Sequence, residues 1–268
     1  MKLQWTITKK DHQSRIDDFA YQHHISKKIL KAIKLNGDIL VDGIHRTVRY
    51  QLNMGEVVTF IFPPENNQVP PENIPLKIVY EDEYLMVIDK QRNIPCIPTS
   101  AHPHHTLANA ISFYYSVIHL PSTIHLVNRL DKETAGLMIV AKYRYIHDLM
   151  NKQHIYRLYK AHVLGHVEVG TIHLPIYKED YQMKRIIDQR GKPSITHYQA
   201  LQKEKETTLV QCRLETGRTH QIRIHMAAIG HPLVGDPLYG NGQGHFDLTS
   251  YKICFIHPIT KQMISITK

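Results

Sequence analysis

Leu126-Val127-Asn128-Arg129-Leu130-Asp131-Lys132-Glu133-Thr134-Ala135-Gly136-Leu137-Met138-Ile139-Val140-Ala141-Lys142 is the stretch around which the chain is organised. Its second half, Leu137 to Ala141, is an uncharged run too short for a helix and bounded by Gly136 and Lys142, so it reads as a buried strand. The first half is then a loop that delivers one carboxylate, Asp131, between Arg129 and Lys132. Two neighbouring cations favour the ionised form, which predicts a lowered pKa and a group suited to attack or electrostatic work rather than to proton donation. The plain alternative is a surface turn in which Asp131 pairs with its neighbours. Other parts of the chain decide between the two.

With 268 residues the chain is long enough for one large core or for a main domain with a smaller attachment. A hydrophobic content of 42% is that of a globular protein, and no apolar run reaches the length of a membrane span. The opening Met1-Lys2-Leu3-Gln4-Trp5 lacks the apolar core of a secretion signal, so the expected location is cytoplasmic. Cys96, Cys212 and Cys254 are few and far apart, which argues against a disulfide framework and a thiolate zinc site. The 20 histidines include the groupings His102/His104/His105 and His220/His225, but neither has a second acidic or thiolate set at ligand spacing, and no metal is expected. A formal charge of +9 suits a polyanionic partner.

From the start, Leu3, Trp5 and Ile7 alternate with polar residues as in an edge strand. Ser14 is placed to cap a first short helix and Ser26 a second, which Asn36-Gly37 ends. Lys27, Lys28, Lys31 and Lys34 give that second helix a basic stripe. The strand Ile39-Leu40-Val41 then leads into the hairpin signal Asp42-Gly43, and Met54 to Val58 reads as a further strand. Residues 63–75 hold five of the 14 prolines and read as an extended, semi-rigid linker between units that fold separately. The boundaries are therefore 1–62, 63–75 and 76–268.

Beyond the linker, strands are expected over Leu76 to Tyr80, Tyr84 to Ile88, Tyr156 to Leu164, Thr208 to Leu214 and Ile253 to His257, with a helix over Thr106 to Ile118. Several strands in succession with two or three helices favour an α+β fold on a mixed, largely antiparallel sheet with flanking helices. Leu214 to Gly230 reads as strand, Gly turn and helix, capped by Thr219 and stopped by Gly230. Ile222, Met226 and Ile229 fall on one inward face, while Arg218 and Arg223 sit near the helix N-terminus, where amides and cations together favour an anion.

Taken together, Arg129-Leu130-Asp131, Thr134-Ala135-Gly136-Leu137, the run from Thr216 to His225, Gly230-His231-Pro232 and Gly235-Asp236 resemble the RluA-type pseudouridine synthases. The likeness extends from about Leu76 to the end and takes in Tyr159, the stretch from Gly191 to Tyr198 and His257-Pro258. Residues 14 to 62 resemble the small RNA-binding domain first known from ribosomal protein S-four, a module that holds structured RNA by charge and shape. The resemblance implies an enzyme that detaches a uracil base inside ribosomal or transfer RNA, turns it and rejoins it through carbon 5, with no cofactor or metal. It makes Asp131 the nucleophile, Arg223 its cationic partner and Tyr159 the residue that stacks on the uracil and helps to remove the carbon 5 proton. Arg129 fills the gap left by the extruded nucleotide and Arg218 contacts phosphate, while Lys27, Lys28, Lys31 and Lys34 hold RNA. Two places depart from the family pattern. Lys90-Gln91-Arg92-Asn93 replaces a Lys-Pro followed by Gly, and Asn128 replaces a His, and both are expected to touch the walls that position RNA.

Two other readings compete. A passive RNA-binding or assembly factor predicts loss of Asp131, Tyr159 or Arg223, and all three are present. A glycosidase needs two acids flanking the bond, and only Glu133 lies close to Asp131 in sequence. A monomer is the expected state.

Overall fold

The computed structural model describes residues 1–180, 182 and 184–268. The first part comprises β1 (Lys2–Thr6), α1 (Ile16–Gln22), α2 (Lys27–Asn36), β2 (Asp38–Val41), β3 (Ile44–His45) and β4 (Val57–Ile61), with the strands in the antiparallel order β1-β4-β2-β3. Ser26 caps α2 by accepting from the Ile29 amide. Asp42 and Gly43, at φ 49° and 79°, make the tight hairpin between β2 and β3. Ser14 does not cap α1. Its hydroxyl donates to the Asp11 carbonyl at 2.5 Å, and the helix begins after Arg15 with no side-chain cap. β4 starts at Val57 rather than Met54 because the Asn53 carbonyl accepts from the Glu56 amide at 3.2 Å, closing a turn with Gly55 at φ 92°.

The larger part continues with β5 (Ile78–Glu81), β6 (Leu85–Lys90), α3 (Leu107–Val117), β7 (His125–Leu126), β8 (Ala135–Ala141), α4 (Arg144–Met150), β9 (Tyr156–Leu164), β10 (Val169–His173), β11 (Ile176–Lys178) and β12 (Arg185–Ile187). It closes with β13 (Ile195–Lys203), β14 (Thr207–Leu214), α5 (Gln221–Ala228), β15 (Thr249–Ile256) and β16 (Met263–Thr267). Ten of these strands form one sheet in the order β10-β13-β14-β9-β15-β8-β6-β5, with β16 beside β15 and β7 beside β8. Among the described residues its one parallel pairing joins β15 to β8, at Thr249–Ala135 and Ser250–Gly136. The fold is α+β.

The uninterrupted apolar run of β8 is explained by two cores, one on each side of the sheet. On one face, Leu85, Val87, Leu137, Ile139, Ile253 and Phe255 pack with α4 and with Ile16, Phe19, Ile33 and Phe60 of the first part. On the other, Met86, Ile88, Met138 and Val140 pack with Ile111 of α3 and with Ile222 and Met226 of α5. The two parts thus share a core and do not stand apart. Phe62 packs tilted against Tyr145 with ring centroids 5.3 Å apart, and the Tyr145 hydroxyl donates to the His23 carbonyl at 2.7 Å.

The proline-rich segment is likewise no free spacer. Its Pro70 and Val69 carbonyls accept from Asn109 and Ser112, at 2.9 and 2.7 Å, on the buried side of α3. Glu65 meets the His125 ring at 2.6 Å. The prolines keep the strap extended, and two buried polar side chains of α3 need the carbonyls it presents.

Candidate active site

A cleft of about 510 Å³ opens between the loop that joins β7 to β8, the first residues of β9 and the turn entering α5. The loop's backbone is fixed from behind. Asn128, buried, accepts from the Ile139 amide at 2.8 Å. The buried Lys90 amine donates to the carbonyls of Gln91 (2.9 Å), Ile94 (2.9 Å) and Lys132 (3.1 Å). Arg92 donates to the Glu133 carbonyl at 3.2 Å and to the Thr249 hydroxyl at 3.0 Å. Of the departures from the family pattern, Arg92 and Asn128 thus brace the loop that carries Asp131, and Asn128 also lines the cleft, as expected of it.

Asp131 reaches the cleft with its side chain 22% exposed. Burial pushes its pKa above the ordinary aspartate value, and His220, Arg223 and Lys90 oppose that shift while Glu133 adds to it. The expected lowering by Arg129 and Lys132 is not what the fold produces. Arg129 is exposed and the Lys132 amine lies 3.4 Å from His102, so the cations that act on the carboxylate come from distant parts of the chain. Arg223 Nη1 stands 3.9 Å from Oδ2 and His220 Nε2 stands 4.0 Å from Oδ1.

Arg223 is held by a second carboxylate. Its Nε and Nη2 donate to the fully buried Asp236 at 2.8 and 2.7 Å, a bidentate pair that sets the plane of the guanidinium. Nη1 is left without a hydrogen-bond partner, 3.6 Å from Glu133 as well as facing Asp131. A buried donor aimed into a cleft is available to an incoming oxygen. Tyr159 lines the same cleft from β9, 5% exposed, with burial pushing its phenol up. Arg157, whose Nε has no partner, lies beside it in the wall.

Arg129 and Arg218 are exposed and line the cleft, so five of the residues singled out from the sequence are brought together. Lys27, Lys28, Lys31 and Lys34 are exposed on α2, and none of them lines it. The apolar side of α2 joins the core on the opposite face of the sheet. Thr219 does not cap α5. The cap position is His220, in the left-handed region at φ 58°, and the turn is organised instead by Gln221, whose side-chain oxygen accepts from Thr216 Oγ1 and the Arg218 amide, both at 2.9 Å. Lys90, His220 and Asp236 were not chosen from the sequence as site residues, although Asp236 and His220 sit inside the quoted motifs. Among the described residues no cluster of His, Cys, Asp and Glu is placed to hold a metal ion, and His104 and His105 pair with Glu72 instead.

Residues 84–228 match the family described as RNA pseudouridylate synthase. The chain is 38% identical over 260 residues to an uncharacterized RNA pseudouridine synthase, YjbO, of Bacillus subtilis (strain 168), covering 92% of each chain. It is 42% identical over 183 residues to ribosomal large subunit pseudouridine synthase D of Escherichia coli (strain K12), a match that covers 66% of this chain and 56% of that protein. The solved structure of human RNA pseudouridylate synthase domain containing 1 has a similar fold, with a TM-score of 0.60 at 22% identity over 74% of this chain and 85% of that one. Among the described residues no helix is long and apolar enough to cross a membrane. A cleft built on a carboxylate and a buried arginine, in a chain so related over nine-tenths of its length, leads to one conclusion: the protein belongs to the RNA pseudouridylate synthase family and is an RNA pseudouridine synthase, an enzyme that isomerises uridine to pseudouridine.

Proposed function

We propose that Asp131 is the nucleophile of this isomerisation and that the substrate is a uridine in structured RNA, ribosomal RNA first and transfer RNA second, met in the cytoplasm by a monomer that needs no cofactor. The reaction breaks the bond from ring nitrogen 1 to the sugar, forms the bond from carbon 5 to the same sugar carbon, and moves one proton from carbon 5 to nitrogen 1. Attack by Asp131, on the sugar carbon or on the ring, frees the base to turn, and expulsion of the carboxylate completes the exchange. Arg223 balances the charge of Asp131 through Nη1, while Asp236 keeps it from swinging away. Tyr159, which lines the cleft, stacks on the base and takes part in moving the carbon 5 proton. Arg129 fills the gap in the stack, and Arg218 holds phosphate at the rim.

Residues 1–62 form the RNA-holding unit with Lys27, Lys28, Lys31 and Lys34 as its charged stripe, 63–75 the connector and 76–268 the synthase unit. Because the stripe lies beyond the core on the other side of the sheet, RNA held by both must pass around the molecule's edge, which suits a folded RNA better than a short strand. The observation that carries the reading is the pairing of Asp131 with the open donor of Arg223 in one cleft with Tyr159.

Asp131→Asn tests it. The amide keeps size and most hydrogen bonding but has no nucleophilic oxygen, so pseudouridine formation falls below detection while RNA binding persists or tightens. Nucleoside chromatography of digested target RNA gives the answer, with folding checked by circular dichroism. Substantial product from the folded Asn variant ends the assignment.

A further inference from the structure

His220 takes a left-handed backbone at the turn that enters α5, one of eight described non-glycine residues with positive φ and the one that lines the cleft. A non-glycine residue in the left-handed region is costly and is kept where its surroundings over-determine it, often at a functional site. Here the conformation, φ 58° and ψ 18°, turns the ring out of the α5 entry so that it lies against Asp131 on one side and Tyr239 on the other. The side chain is 11% exposed and lines the cleft.

The hydrogen bonds around the ring decide which nitrogen carries the proton. The Tyr239 hydroxyl oxygen accepts from the Arg185 amide at 2.7 Å, and the same hydroxyl lies 3.1 Å from His220 Nδ1. With its oxygen already accepting, the hydroxyl proton goes to Nδ1, which is then an acceptor. A neutral His220 therefore carries its hydrogen on Nε2, the atom 4.0 Å from Asp131 Oδ1. Among the described residues Asp131 accepts no side-chain hydrogen bond; its two nearest donors, Nε2 of His220 and Nη1 of Arg223, face one oxygen each. Catalytic hydrogen bonds in a free enzyme are commonly long and shorten once substrate closes the site.

We propose that His220 is a positioning residue for Asp131: neutral and protonated on Nε2, it closes onto Oδ1 when RNA binds and aims the other oxygen at the target uridine. The proposal rests on Asp131 being the reactive carboxylate. The charged groups that act on His220 come from every side: Asp131 and Glu133 on the loop, Arg223 on its own helix and Arg185 on β12. Burial is the largest influence and holds the imidazole below its ordinary pKa, so it is neutral at neutral pH. An imidazolium formed here on acidification pairs with the carboxylate and blunts its attack, whereas the neutral ring only donates to it.

Two substitutions separate position from fold. His220→Asn tolerates the left-handed backbone and keeps a polar atom near Tyr239, but it has nothing at the Nε2 position. His220→Gln places an amide N–H near that position and cannot titrate. At saturating enzyme, the Asn variant is expected to lose on the order of 10²-fold in single-turnover rate, the scale of a misplaced reacting group, with RNA affinity unchanged. The Gln variant should regain most of the loss, with the acid limb of its pH–rate profile moved to lower pH. Long-range nitrogen-15 spectra of the wild-type protein provide a measurement independent of any variant, and the Nε2–H tautomer is expected for His220. A wild-type rate for the Asn variant, equal losses in both variants with an unmoved acid limb, or an Nδ1–H tautomer each overturns the inference. If Asp131→Asn is active, the reading of Asp131 fails; if it is inactive while His220→Asn is fully active, only the role of His220 fails.

Discussion

At the scale of single residues, the site depends on groups buried with their charge. Burial pushes the Lys90 amine down to about 8, with Cys96, Asp131 and Glu133 pulling the other way and Arg92 adding to the shift. As an ammonium it serves three carbonyls; as a neutral amine it has two donors and no charge to set near Asp131. The turnover rate should therefore fall as pH rises through about 8. Stability should move in the opposite direction. The folded pKa lies below the unfolded value of about 10.4, so the unfolded chain binds more protons in that window, and stability rises with pH between the two values. Lys90→Arg keeps its charge throughout, and its basic limb should disappear; single-turnover rates and thermal melts across the same pH range check both signs. Asp236→Ala strands the Arg223 guanidinium in the core, where breaking one side of a buried pair costs about 3–5 kcal/mol. Denaturant midpoints should show that loss, and any folded fraction should be inactive because Nη1 no longer has a fixed direction.

At the scale of elements, the shape of the cleft depends on how β8, β15 and β9 sit side by side. Gly136 lies at φ 112°, and a Cβ there would come within 2.1 Å of the Ser250 carbonyl oxygen on β15. Ser250 in turn pairs in register with Tyr159 on β9. Any side chain at 136 pushes apart the strand that follows Asp131 and the strand next to Tyr159. Gly136→Ala should then cost a few kcal/mol, from overpacking and backbone strain together, and should lower turnover at temperatures where the protein is still folded. Gly43→Ala is the control: at φ 79° with open space around it, it costs about 1–2 kcal/mol of backbone strain alone and leaves turnover unchanged. Thermal melts and single-turnover rates of the pair distinguish strain from displacement.

For the whole molecule, the shared core decides what a truncation can mean. Deleting residues 1–62 removes the partners of Leu85, Val87, Leu137, Ile139 and Phe255 and opens an apolar face on the central strands. The remaining chain should bind a hydrophobic dye and melt early or aggregate, in place of the separately folding synthase unit that the proline-rich segment suggested. The charge of the first part is better tested with the fold intact. Replacing Lys27, Lys28, Lys31 and Lys34 by Ala should leave melting almost unchanged and reduce the salt dependence of RNA binding by about three in log–log slope if all four meet phosphate. An unchanged slope would remove α2 from the RNA path.

What the sequence by itself determined were features encoded within a few residues of each other. The five-residue apolar run gave β8, Tyr156 to Leu164 gave β9 with the observed limits, Ser26 gave the start of α2 and Asp42-Gly43 gave the hairpin, because burial period, capping and turn chemistry act locally. Asp131, Tyr159 and Arg223 were legible through their surrounding motifs, without knowledge of what surrounds them in space. Only the tertiary structure decided that Asp236 holds Arg223, that Lys90 and Arg92 brace the loop that carries Asp131, and that the cations on Asp131 are not its chain neighbours. It also placed the first part of the chain on the back of the sheet. A pKa and a shared core are set by what packs across tens of residues of sequence, and no local pattern records which distant surface will cover a given apolar face or reach a given carboxylate.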